Sequence, residues 1–112
     1  MKPMIVLVSL GIVSLSNGSA FAQSTAERGS KVYADQKCSL CHSIAGKGNP
    51  KGPLDTVGAK LKLEEIRQWI VTPAKMAAAA KAERKPAMKA YPSLPKDDLD
   101  ALVAYLASLK TK

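Results

Sequence analysis

Cys38-Ser39-Leu40-Cys41-His42 constrains this chain more than any other stretch. Two thiols three positions apart, followed at once by an imidazole, can all serve one site from a single turn of chain. Three chemistries use such a pair: a thioredoxin-like redox disulfide, a structural zinc site and covalent attachment of a c-type haem. The disulfide reading expects a surrounding βαβ pattern, and the sequence has none. Structural zinc wants four Cys or His ligands, whereas the whole chain holds two Cys and one His. The haem reading needs nothing further. Two thioethers reach the vinyl groups along one side of the porphyrin, and His42 turns a ring nitrogen to the iron.

Haem is joined to such motifs outside the cytoplasmic membrane, so export is the first test of this reading. Lys2 is followed by an apolar run from Met4 to Leu15 and by Ala20-Phe21-Ala22. These are the n-region, h-region and A-x-A cleavage site of a secretory signal peptide, with Gln23 as the first mature residue. The run falls well short of the roughly 20 residues that span a bilayer, and no cysteine follows it to carry a lipid anchor. The expectation is a periplasmic protein that does not span the membrane after cleavage, with residues 1–22 removed and residues 23–112 forming one domain.

Such a domain is small and poor in large side chains. Its aromatic residues are Tyr33, Trp69, Tyr91 and Tyr105, because Phe21 belongs to the leader. Domains of this size often depend on a metal, disulfide or cofactor for stability. A bridge between Cys38 and Cys41 would close a very small loop and constrain little. A large, flat, apolar cofactor would supply the missing core, and the haem-free chain is expected to be largely unfolded.

The periodicity is helical throughout. Ser24-Thr25-Ala26-Glu27 has the form of a capping box opening a helix towards Gln36. Residues 46–58, rich in Gly and Pro, read as loop. Leu63, Ile66, Trp69 and Ile70 recur at helical spacing over 63–71, with Lys62 at the position where a capping Ser or Asp is expected. Pro73 suits the start of a further short helix through Ala80. Residues 84–95, with three prolines, read as extended loop. Leu99, Leu102, Val103 and Leu106 form the stripe of a last helix. Asp97, Asp98 and Asp100 complement the positive end of its dipole. No stretch alternates as a strand does, so the fold class is all-α.

A six-coordinate haem needs a ligand on the face away from His42, and no second histidine exists. Methionine fills this place in cytochromes c and raises the reduction potential. After cleavage Met76 and Met88 remain. Met76 lies on an alanine-rich helical segment, where methionine ordinarily packs. Met88 lies in a proline-bounded loop that can drape over a haem face, or can simply cover apolar surface. Met88 is the better candidate.

With these motifs in order, residues 25–110 resemble a class I c-type cytochrome of the small bacterial mono-haem kind. Gly29 and Tyr33 precede the haem motif where that family has a glycine and an aromatic. Gly52-Pro53-Leu54 is similar to its G-P-x-L element, Trp69 to the tryptophan of its middle helix, and Pro86 to Leu94 to its methionine loop. Leu102-Val103-Ala104-Tyr105-Leu106 is similar to its closing helix. The resemblance implies the cytochrome c fold, three to five short helices wrapped around one covalent haem c with its iron. It implies axial ligation by His42 and Met88. It also implies a Pro53 carbonyl that accepts a hydrogen bond from His42, a Trp69 near a haem propionate, and a contact of Gly29 and Tyr33 with Leu102 and Tyr105. The chain departs from the family at Lys89-Ala90, where a proline commonly follows the methionine, and at Lys62 and Leu94, where Ser or Thr commonly caps.

An iron closed on both faces has no position for substrate, so the expected function is one-electron transfer between exported redox proteins rather than catalysis. The chain carries +8, and subtracting Lys2 leaves +7 for residues 23–112. Lys47, Lys51, Lys85 and Lys89 fall beside the segments expected to frame the haem edge, which suggests docking on acidic partners. Scattered basic residues on an exported chain argue against nucleic-acid binding. Two alternatives remain: a haem subunit of a larger oxidoreductase, and a five-coordinate haem enzyme or gas sensor should neither methionine bind iron.

Overall fold

The computed structural model describes Gly11 and residues 18–111, with the backbone alone for residues 18–24. The apolar run of the leader therefore lies almost wholly outside the described residues. Helix α1 spans Gly18–Asp35. It begins upstream of the Ser24 capping box, which is the first departure from expectation. A capping box ends a helix only where the preceding chain is non-helical. Here Ala20, Ala22 and Gln23 are good helix formers, and the helix continues through them across the expected cleavage site.

The chain leaves α1 through Lys37, which adopts a left-handed conformation with φ 57°. The Gln36 and Lys37 amides donate to the Val32 and Ala34 carbonyls at 2.9 and 3.1 Å, satisfying groups that the helix end exposes. This reversal feeds a 3-10 turn at Cys38–Leu40. Two strands of two residues follow, β1 (Ser43–Ile44) and β2 (Lys47–Gly48), paired antiparallel. This one short pair beside five α-helices among the described residues leaves the all-α class standing. Ala45 and Gly46 between the strands both have positive φ, as a tight type I′ hairpin turn requires. Two residues per strand is too short for alternation to show.

Helix α2, Val57–Lys60, begins within the stretch that reads as loop, and the sequence assigns it no helix, because a single turn carries no periodicity. It is held by the Gly58 amide, which donates to the Leu109 carbonyl at 2.8 Å. Helix α3 is Leu63–Val71. Its N-terminus is capped by Glu65, whose carboxylate accepts from the Lys62 amide at 3.0 Å. The Lys62 side chain cannot return the bond, since an ammonium has no acceptor. Helix α4 is Pro73–Ala80, and α5 is Lys96–Ala107.

Val32, Tyr33, Ile66, Ile70, Leu102, Val103 and Leu106 form the buried core, contributed by α1, α3 and α5. The close approach of α1 to α5 is made at Gly29. A Cβ there would overlap the Ala101 carbonyl and Tyr105 Cβ. One turn on, the Tyr33 and Tyr105 rings meet edge to face with centroids 6.2 Å apart, the favoured aromatic geometry. Ion pairs Arg28–Asp98 at 2.9 Å and Arg67–Asp100 at 2.8 Å tie α1 and α3 to the acidic N-terminal part of α5. They are partly exposed and guide the packing more than they stabilise it.

In an ordinary helix Gly→Ala stabilises by about 1 kcal/mol. Gly29→Ala is expected to reverse that sign, destabilising by about 1–3 kcal/mol through overpacking against backbone that cannot yield. Denaturant unfolding of the haem-loaded protein measures it, and a variant at least as stable as wild type would contradict this crossing geometry.

Candidate haem site

A cavity of about 410 Å³ opens directly onto this core. Cys38, Cys41 and His42 line it from the 3-10 turn and the residues after it. Ile66, Trp69 and Ile70 line it from α3, Pro73, Ala74 and Ala77 from α4, and Leu102 and Leu106 from α5. The loop after α4 contributes Arg84, Pro86, Met88 and Tyr91. The wall is predominantly apolar. Of the two methionines considered, Met88 lies in it and Met76 does not.

The 3-10 turn is what aims the motif. The Cys41 and His42 amides both donate to the Cys38 carbonyl, at 3.1 and 2.9 Å, so the five residues wind into one compact bend. Cys38 and Cys41 are half-buried free thiols, and burial pushes the Cys38 thiol up. His42 Nδ1 lies 3.1 Å from the Gly52 carbonyl, which leaves Nε2 as the nitrogen available to a metal. Burial lowers the His42 pKa, the Gly52 contact opposes that shift, and the Arg84 charge adds to the lowering. A lowered pKa favours the neutral imidazole that binds metals.

The partner of His42 is thus Gly52, which corrects the assignment to the Pro53 carbonyl. The reason is local. Ser43 and Pro53 form a parallel bridge, with the Ser43 amide donating to the Gly52 carbonyl at 3.0 Å and the Leu54 amide to the Ser43 carbonyl at 2.8 Å. Successive carbonyls of an extended chain point opposite ways, so the Gly52 oxygen faces the motif. Trp69 lies in the cavity wall. Among the expected docking lysines, Lys89 lines the cavity, while Lys47, Lys51 and Lys85 are exposed and do not line it; Lys37 lines it unforeseen. The motifs cover Gly52 and the stretch holding Tyr91 without giving either a role, and no motif points to Arg84.

Among the described residues no three His, Cys, Asp or Glu side chains converge to hold a metal ion. No helix among them is long and apolar enough to cross a membrane. The profile of the family described as Cytochrome c matches residues 26–110. The chain belongs to the cytochrome c family. It is a small class I c-type cytochrome, with haem-based electron transfer as its chemistry. It is also 29% identical over 97 residues to the "Cytochrome c oxidase subunit 2" of Alkalihalophilus pseudofirmus. That match covers 79% of this chain and 27% of the larger protein. No solved structure matches the chain significantly.

The residues of this cytochrome suit a haem. The cavity falls within the usual size range of cofactor sites, and it combines apolar walls with a few convergent polar groups. Two thiols, an imidazole and a thioether are the donor set that haem c uses. The Tyr33 hydroxyl, also in the wall, is buried without a hydrogen-bond partner among the described residues, as expected of a surface built to meet another group.

Burial, then the neighbouring Cys38, Tyr105 and Asp55, push the Tyr33 phenol up to about 12. A phenol held above its ordinary value of 10.0 gives stability that is complete below that pH and lost as the pH rises towards about 12. Tyr33→Phe should therefore lose less stability than wild type over this alkaline range, and should remove the last step of a tyrosinate absorbance titration. Full ionisation of all tyrosines near pH 10 would show that Tyr33 is not held in this way.

Proposed function

We propose that this cytochrome carries single electrons between exported redox proteins, using one covalently attached haem ligated by His42 and Met88. The observation that carries the reading is the meeting of Cys38, Cys41, His42 and Met88 in one apolar cavity that excludes Met76. A haem bound there supplies a reversible Fe(II)/Fe(III) couple. Cys38 and Cys41 would hold it by thioethers, and His42 and Met88 would ligate its iron. The Gly52 carbonyl fixes the tautomer and orientation of His42 and strengthens it as a ligand. The apolar wall keeps water from the iron, which favours a high potential. Two protein ligands retained in both oxidation states would keep the structural change on electron transfer small.

The leader pattern of residues 1–22 supports a periplasmic location. Lys37, Lys89 and Arg84 border the cavity, and Lys47, Lys51 and Lys85 are exposed cations on flanking segments. Leu40, 69% exposed, stands beside Cys41 as an apolar contact. Acidic redox partners suit this face. The oxidase-subunit relative favours one further reading, in which the same domain delivers electrons as part of, or docked on, a terminal oxidase.

Met88→Ala should abolish the weak long-wavelength Met–iron absorption band of the ferric protein and open the reduced protein to carbon monoxide, while Met76→Ala does neither. Carbon monoxide binding by the unaltered reduced protein would point to the enzyme or gas-sensor alternative. Transfer rates to an acidic partner should fall steeply with ionic strength; rates indifferent to salt would remove the electrostatic part of the proposal.

A further inference from the structure

We infer that Arg84 and Tyr91 are positioning residues that clamp the Met88 loop onto the haem motif from both sides, and so determine how firmly the methionine holds the iron. The inference rests on the reading of Met88 as axial ligand. The stretch between α4 and α5 has no regular hydrogen-bonding of its own, and a loop of this kind readily opens unless tied down. It is tied at two points that bracket Met88.

Four residues before Met88, Arg84 Nη2 donates to the Cys41 carbonyl. The guanidinium also lies against Gly52, where a Cβ would overlap Arg84 Nη1 and the Cys41 carbonyl. Glycine at this position is what admits the arginine. Arg84 therefore rests on the residue that precedes His42 and on the residue whose carbonyl orients His42. One side chain joins the loop of one proposed ligand to the supports of the other.

Three residues after Met88, Tyr91 makes two further ties. Its amide donates to the Ile70 carbonyl at 2.9 Å, and its hydroxyl donates to the Gln36 carbonyl at 3.2 Å. These join the loop to the end of α3 and to the chain just after α1. Lys89 lies over the Tyr91 ring, 5.7 Å from its centroid, and steadies the intervening residues. With both ends fixed, Met88 has little freedom to leave the cavity.

External ligands reach the iron only in molecules whose loop is open, so their apparent affinity reports the open fraction. In the haem-loaded protein, Arg84→Gln and Tyr91→Phe should each raise the affinity of the reduced form for carbon monoxide about fivefold, the worth of a typical single hydrogen bond. The effects should multiply in the double variant and be accompanied by a weaker Met–iron band. Arg84→Lys keeps the charge but not the planar fork, and should recover only part of the loss. Met88→Ala is the reference. If it leaves carbon monoxide affinity and the band unchanged, the ligand reading fails. If Met88→Ala opens the iron while the Arg84 and Tyr91 variants, singly and together, alter only the unfolding midpoint, the ligand reading stands and the clamp is overturned.

Discussion

The close approach of α1 to α5 at Gly29 is the constraint from which the rest of the site follows. With no side chain at that point, the Ala101 carbonyl comes within contact of the α1 backbone. Tyr33 then meets Tyr105, and Leu102 and Leu106 reach one side of the cavity. Because α1 runs almost directly into the 3-10 turn, the same crossing sets where Cys38 and Cys41 stand relative to the core. Widening it would displace the attachment points and the apolar wall together.

A second constraint is how little core the protein makes for itself. Several of its buried apolar residues, among them Ile66, Ile70 and Leu102, also line the cavity. Filling that space with a rigid apolar ring would complete the packing and exclude water from the iron by the same contacts. Stability and redox environment are thereby linked. The polar groups at the site are few and serve to orient. The Gly52 carbonyl turns His42, and Arg84 and Tyr91 hold the loop that carries Met88.

Much of this was legible in the residues because their chemistry is local. Five consecutive residues specify the attachment motif, and apolar spacing specifies helices at 63–71 and in the final segment. The boundaries of α3 agree with that spacing to the residue. What escaped depends on distant parts of the chain. The start of α1 depends on residues upstream of an apparent cap. Helix α2 is one turn long and is held by the Leu109 carbonyl. The partner of His42 is displaced from Pro53 to Gly52 by the parallel bridge at Ser43, which no local pattern encodes. Arg84 looks like one more surface cation until Gly52 and the Cys41 carbonyl are brought beneath it. Backbone carbonyls and long-range side-chain contacts leave no signature in composition or periodicity.

The central claim is that Met88 closes the iron opposite His42, and it can be tested on the atom concerned. Proton–carbon NMR of the reduced, haem-loaded protein with methyl-labelled methionine reads each sulfur's surroundings separately. The expected spectrum has one methyl signal displaced far upfield by the ring current of the haem, assigned to Met88 by its loss in Met88→Ala, and an ordinary signal for Met76. Ordinary shifts for both methionines, or an upfield signal that survives Met88→Ala, would contradict a His42/Met88 pair.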